Sequence, residues 1–265
     1  MRVRLGAVEF LNTRPLTAFL EQQSGGDFDL SYAVPSVCAQ DLRCGRTDVG
    51  LIPSIEYARS PESYYIVPDI AIAARGEVLT VRLFLGGEMA DVRRVALDRS
   101  SRTSIALLHI LLREKYGVQP EVVERAPDLD AMLAEADAAL LIGDSVFEVL
   151  DAGYRSVDLG REWVEWTGLP FVFAFWAGRQ GVLAAEQVEW LVQARREGEG
   201  QIGEIVRWFC AERGGSEEVY ERYLKEHICF ELGADEIAGL QEFFRLAHKC
   251  ELIEEVPKVR FFDRC

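Results

Sequence analysis

The feature that most constrains the fold is a recurring unit: a short apolar strand, a polar turn that ends it, and a helix that opens from the turn. Arg94-Val-Ala-Leu97 is such a strand, Asp98-Arg-Ser-Ser-Arg-Thr-Ser104 the turn, and Ile105, Leu108, Leu111 and Leu112 mark the helix face that follows. Near the N-terminus Val3, Leu5 and Ala7 alternate with charged residues, Glu9 to Arg14 form the turn, and Pro15 suits the first turn of a helix. Asp48-Val-Gly-Leu-Ile52 breaks at Pro53-Ser54, and the fully apolar Ala138-Ala-Leu-Leu-Ile142 ends in Gly143-Asp144. Strands and helices alternating in this way build open α/β sheets, and such sheets bind ligands in the loops beyond the carboxyl ends of their strands.

Four such loops carry chemistry. Asn12 lies in the first, where it is either a turn residue or a ligand contact. Ser54 follows the third strand and can cap the next helix. Ser100, Ser101, Arg102 and Thr103 crowd the helix start after Leu97. A helix start has unpaired N–H groups and the positive end of the dipole, so this turn is a ready anion site, although on this stretch alone simple N-capping by Ser and Thr is the commoner explanation. Gly143 and Asp144 leave little side chain in the way at the fourth loop. Arg14 and Arg102 are the cations of interest beside these loops.

The formal charge of −15 and the lack of a basic stripe exclude a nucleic-acid partner. No run approaches the roughly 20 apolar residues of a membrane span, and no apolar stretch of signal-peptide length opens the chain, so a cytoplasmic location and no membrane partner are expected. The six cysteines, at positions 38, 44, 210, 229, 250 and 265, include no C-x-x-C pair and read as reduced thiols rather than disulfides or a zinc site. His109, His227 and His248 fall on helices without a partnering motif. There is no G-x-G-x-x-G after a strand, no phosphate-binding P-loop and no H-E-x-x-H, so no metal and no cofactor is expected.

The pattern divides into two α/β lobes: residues 1–85 with a helical tail, 176–265, and residues 86–175. Hinges are expected near Leu83–Gly87 and Phe173–Gly178, with the ligand cleft between the lobes. The first helix is expected to stop at Gly25-Gly26. Phe171, Phe173 and Phe175 alternate as one buried face of the strand that returns the chain to the first lobe.

Five stretches then carry a resemblance: Phe10-Leu-Asn-Thr-Arg-Pro-Leu16, Gly50-Leu-Ile-Pro-Ser-Ile-Glu-Tyr57, Ala96-Leu-Asp-Arg-Ser-Ser-Arg-Thr-Ser104, Leu141-Ile-Gly-Asp144 and Glu162-Trp-Val-Glu-Trp-Thr-Gly-Leu-Pro-Phe-Val-Phe-Ala174. In this order they resemble the MqnA family, the chorismate dehydratases of the futalosine route to menaquinone. The resemblance covers about two-thirds of the chain and weakens in the tail. It implies a two-lobed periplasmic-binding-protein-like (type II) fold used as an enzyme. The implied reaction is loss of water from chorismate to give 3-[(1-carboxyvinyl)oxy]benzoate. It aligns Asn12 with the reacting centre and makes Ser54, Ser100, Ser101, Arg102, Thr103, Gly143 and Asp144 the substrate contacts.

Asn cannot act as an ordinary general base. Glu56 and Asp144 are acidic candidates, yet either one beside a dianionic substrate costs Coulomb energy. A carboxylate of the substrate is therefore expected to take the proton, with Asn12 orienting the departing hydroxyl. Two alternatives stand beside this reading. One is the sister enzyme, 1,4-dihydroxy-6-naphthoate synthase, whose members usually carry His where this chain has Gly143. The other is a small-carboxylate-binding protein of the same fold that performs no chemistry.

Overall fold

The computed structural model describes residues 2–23 and 26–264. Two mixed sheets form the two lobes. In the first, β1 (Val3–Val8) lies parallel to both β2 (Phe28–Ala33) and β3 (Val49–Pro53). Short strands β4 (Tyr64–Ile66) and β5 (Ile72–Ala74) complete this sheet by pairing with a long return strand. The second sheet contains β6 (Val81–Leu85), β7 (Arg94–Asp98), β8 (Glu121–Arg125), β9 (Ala138–Ile142) and β10 (Ser156–Asp158), in the order β10-β6-β9-β7-β8. The return strand, β11 (Phe171–Arg179), runs antiparallel to β3, β4 and β5.

Sheet membership corrects the expected lobe boundaries. Residues 81–85 pair with β9 from Val81↔Ile142 to Leu85↔Ala138, so they belong to the second sheet. Residues 171–175 belong to the first, through partners such as Ala174↔Pro53. The chain therefore crosses between sheets over residues 75–80 and 159–170, not at 85/86 and 175/176. The expected hinges at Leu83–Gly87 and Phe173–Gly178 fall in or against paired strand. The physical reason is that an apolar run marks a buried strand but carries no record of which sheet it joins.

The β-rich run over 78–85 forms strand only from Val81. Leu79 has φ 69°, and the Thr80 N–H returns to the Val78 carbonyl at 2.9 Å, closing a γ-turn. The buried Asp158 carboxylate holds this turn by accepting the N–H groups of Val78 at 3.0 Å and Leu79 at 2.8 Å.

The helices occupy their expected places. A 3-10 turn, Leu11–Thr13, precedes α1 (Arg14–Gln22), with Pro15 in the first turn. That helix ends at Gln22, short of the expected stop, and Gly25 lies outside the described residues. Helices α2 (Pro35–Arg43) and α3 (Ser54–Arg59) complete the first lobe, while α4 (Thr103–Ile110), α5 (Leu129–Glu135) and α6 (Leu159–Thr167) follow in the second half. Phe171, Phe173 and Phe175 are buried as expected. The five described cysteines are free, and Cys265 lies outside the described residues.

The tail forms α7 (Ala185–Gly200), α8 (Ile202–Arg213), α9 (Glu217–Arg222), a π-helical turn at Tyr223–His227, and α10 (Ala234–Lys249). Helix α7 lies so close to α1 that a Cβ on Gly198 would stand 1.9 Å from the Pro15 carbonyl oxygen. The tail thus clamps the helix that begins beside Asn12. Among the described residues, no helix is long and apolar enough to cross a membrane.

Candidate active site

The strand-end loops of the two sheets meet around an inner chamber of about 70 Å³. A wider outer cleft of about 960 Å³ lies next to it. Phe10, Arg102 and Ile142 border both spaces.

Five of the eight expected residues line the inner chamber: Asn12, Ser101, Arg102, Thr103 and Gly143. Asn12 sits in the 3-10 turn and donates from Nδ2 to the Tyr223 hydroxyl at 2.9 Å. Ser101 is buried, and its Oγ has no hydrogen-bond partner among the described residues. Thr103 Oγ1 accepts the Ile55 N–H at 3.3 Å and lies 3.4 Å from Ser54 Oγ, linking the two lobes.

Capping does not account for the hydroxyls around α4. Arg102 occupies the N-cap position and offers no side-chain cap, and the first-turn N–H groups have no acceptor within the helix. The Arg102 guanidinium fastens the turn: Nη1 donates to the carbonyls of Ser101 at 2.9 Å and Arg99 at 3.2 Å.

The other three expected residues are placed differently. Ser100 borders the outer cleft, where Oγ and the backbone N–H both donate to Asp98 Oδ1, at 2.7 and 2.9 Å. Ser54 neither caps nor borders either space. It is fully buried as the first residue of α3, and its hydroxyl donates to the Val172 carbonyl at 2.8 Å. Asp144 borders the outer cleft and accepts the Leu11 N–H on both oxygens, at 3.1 and 3.2 Å. Burial pushes its carboxyl up to about 6, although the Leu11 bond favours the charged form. A second-lobe carboxylate thereby holds the residue before Asn12.

Gly143 has φ 68°, and a Cβ there would come within 2.7 Å of the Phe10 ring. Its N–H donates to the Thr80 carbonyl at 2.9 Å. Glu56 is turned away from the chamber, paired with Arg43 at 2.9 Å and Arg59 at 3.4 Å. Arg14 is sandwiched between the Tyr32 and Trp208 rings, 4.6 and 4.4 Å from their centroids, and paired with Glu21. Neither residue borders the chamber.

Sequence reasoning missed Thr80, Tyr223 and Phe10. Thr80 interrupts an apolar run, a weak signal alone. Tyr223 fits the helical spacing of the core, yet a buried Tyr hydroxyl needs a partner. It makes two hydrogen bonds, to Asn12 and to Thr80 Oγ1 at 2.8 Å.

A family model described as menaquinone biosynthesis matches residues 3–249. The chain belongs to the menaquinone biosynthesis family. All five stretches that carry the resemblance fall inside this family match. A curated relative, the chorismate dehydratase of Thermus thermophilus, is 34% identical over 219 residues, covering 76% of this chain and 79% of its own. The chorismate dehydratase of Campylobacter jejuni is 30% identical over 175 residues, 64% of each chain.

Solved structures place this family member in a broader fold. A protein from Archaeoglobus fulgidus superposes with a TM-score of 0.78 at 21% identity, over 95% of this chain and 98% of that one. The periplasmic aliphatic sulphonate binding protein of Escherichia coli gives 0.67 at 16% identity, over 100% and 92%. The fold is thus two-lobed and periplasmic-binding-protein-like.

Proposed function

We propose that this chain is a chorismate dehydratase, a hydro-lyase that converts chorismate to 3-[(1-carboxyvinyl)oxy]benzoate and water. One observation carries the reading beyond kinship. Among the described residues lining the inner chamber, Arg102 alone is ionisable, and no Asp, Glu, His, Lys, Cys or Tyr lines it. Its other polar groups are the Asn12 amide and the hydroxyls of Thr80, Ser101, Thr103 and Ser104, set among apolar side chains.

That inventory suits a reaction whose substrate supplies its own base. A chorismate carboxylate takes the C3 proton, the C3–H electron pair forms the C3=C4 bond, and the C4 hydroxyl departs to leave water. Aromatisation drives the step, and its balance requires no cofactor. Ser101 and the first-turn N–H groups of α4 serve as the grip for one carboxylate, an arrangement that favours anions. Thr103 joins the two lobes beside that grip, and Asn12 faces the reacting carbon.

The chamber is small against the ~300–1,000 Å³ of ordinary ligand pockets. The lobes therefore part to admit the substrate. The contact between Gly143 and Phe10 favours this reading over the naphthoate synthase-like one. A His side chain at position 143 would collide with the ring.

The test is incubation with chorismate, followed by absorbance and product mass. Loss of one water supports the reading. Tight binding of unchanged chorismate overturns it in favour of a binding protein. If Glu56→Gln abolished dehydration with binding intact, the substrate-as-base mechanism would be wrong.

A further inference from the structure

We propose that Asp144 and Phe147, three residues apart on the turn after β9, are positioning residues: with them the second lobe reaches across the cleft and locks the first-lobe turn that carries Asn12. The inference rests on the dehydration reading above for the importance of Asn12, and it assigns what holds that residue in place.

The 3-10 turn Gly143–Val146 ends at Phe147 and continues from the second sheet. The 3-10 turn Leu11–Thr13 continues from the first. Successive residues of one turn meet the other. The Phe10 ring lies on the bare backbone of Gly143, where a Cβ would stand 2.7 Å from it. The Leu11 N–H donates to both Asp144 oxygens, at 3.1 and 3.2 Å. Asn12 Nδ2 donates to the Tyr223 hydroxyl at 2.9 Å, and the Phe147 ring meets the Tyr223 ring edge-on, with centroids 5.1 Å apart. Phe147 also packs on Tyr220 at 4.9 Å, and Tyr220 on Phe209 at 5.0 Å. The tail thus forms an aromatic socket for Phe147. Residues 10, 11 and 12 are held by 143, by 144 and, through one tyrosine, by 147.

Local duties do not account for these two side chains. No side chain caps the turn Gly143–Val146. Among the described residues Asp144 has no ion-pair partner; Arg213 and Arg14 act on it only from a distance. Its hydrogen bonds go to the Leu11 N–H, a donor at the start of a turn that has no acceptor within that turn. Phe147 could pack within its own lobe, yet its ring partners are both tyrosines of the tail. Tyr223 is fully buried, so a shift of the ring against it is passed to its hydroxyl and on to Asn12. The two links reach Asn12 from different sides, one through the backbone of the preceding residue and one through its own amide. A displacement of about 1 Å at a reacting group can cost about 10²-fold in rate, so such links matter to turnover without touching the substrate.

The test uses Asp144→Ala, Asp144→Asn and Phe147→Leu in the full chain, each alone and combined with Asn12→Ala. It measures kcat with chorismate and amide hydrogen exchange in peptides covering residues 9–14. Asp144→Ala is expected to lower kcat about tenfold and Phe147→Leu about fivefold, and both should speed exchange across residues 9–14 several-fold. Asp144→Asn keeps an oxygen that accepts the Leu11 N–H, so its kcat and exchange should stay within about threefold of wild type. In the Asn12→Ala background each change should cost less than about twofold in kcat, because the side chain through which it acts is gone. Wild-type kcat or wild-type exchange in Asp144→Ala overturns the inference. So does an Asp144→Asn variant as slow as Asp144→Ala, or a rate loss that persists in full without Asn12, the signature of a merely structural role. If Phe147→Leu does not fold, the two Asp144 variants decide by the same criteria. If the wild-type chain leaves chorismate unchanged, the dehydration reading fails, and hydrogen exchange alone then decides whether the second lobe locks the turn.

Discussion

The two ends of the inner chamber are built differently. At the Asn12 end the polar groups are paired with one another: Asn12 with Tyr223, Tyr223 with Thr80, and the preceding Leu11 N–H with Asp144. At the α4 end Ser101 Oγ is buried without a partner, and no side chain caps the helix. An unmade hydrogen bond of this kind costs about 1–3 kcal/mol. The pairing at one end fixes orientation before a ligand arrives. The unmet donors at the other end hold their interaction energy in reserve for an anion. On the proposed reading, the first end governs the rate of the chemical step and the second governs affinity.

The largest expected effect lies at the paired end. Asn12→Ala should lower kcat by about 10³-fold while product affinity changes little. A variant that loses affinity and keeps its rate would break the comparison. Gly143→Ala comes next, since it needs φ 68° and pushes a methyl group into the Phe10 ring. A loss of about 1–3 kcal/mol in thermal melting, together with reduced turnover, is expected from strain and overpacking. An unchanged melting curve would show that the ring moves aside freely.

Asp144→Asn tests the link from the second lobe. The carboxyl titrates at about 6 in the folded chain, above the ordinary aspartate value near 3.9. The folded state thus binds this proton more tightly than the unfolded state does. The resulting stabilisation is complete below about pH 4 and is lost as the pH rises through 6. Asn carries no charge to bury, so relative to wild type the variant should gain up to about 2 kcal/mol between pH 4 and 7. A difference that stays flat with pH, in melts at several pH values, would mean that the buried charge is of no consequence there.

The smallest effect belongs to the α4 end. Ser101→Ala should raise KM about tenfold, leave kcat in place and not lower stability, because the hydroxyl has no partner to lose. A fall in kcat without a change in KM would reverse the roles of the two ends.

Much of the site was legible in the sequence, because strand-end loops are local features. Turn residues and glycines bring Asn12, Ser101, Arg102, Thr103 and Gly143 to the same place in any fold of this class. What escaped depends on long-range packing. Residues 81–85 read as strand, but only their pairing with β9 assigns them to the second sheet. Ser54 reads as a cap, while its hydroxyl is drawn to a carbonyl of the return strand more than a hundred residues away. Tyr223 sits at core spacing in the part of the chain where the resemblance is weakest, and nothing local distinguishes its hydroxyl from that of any other buried tyrosine. The discarded candidates were equally instructive. Glu56 and Arg14 had suitable chemistry, but neighbouring charges and rings had already engaged them.

The bond from the Leu11 N–H to Asp144 has one more consequence. It joins the two lobes, as do the contacts of Thr103 with Ile55 and Ser54. The same bond fixes the residue next to Asn12. Any motion that parts the lobes must break it, and Asn12 then loses a support. On the proposed reading, the two ends of the chamber face each other only when the lobes are closed, so lobe closure and assembly of the site are one event.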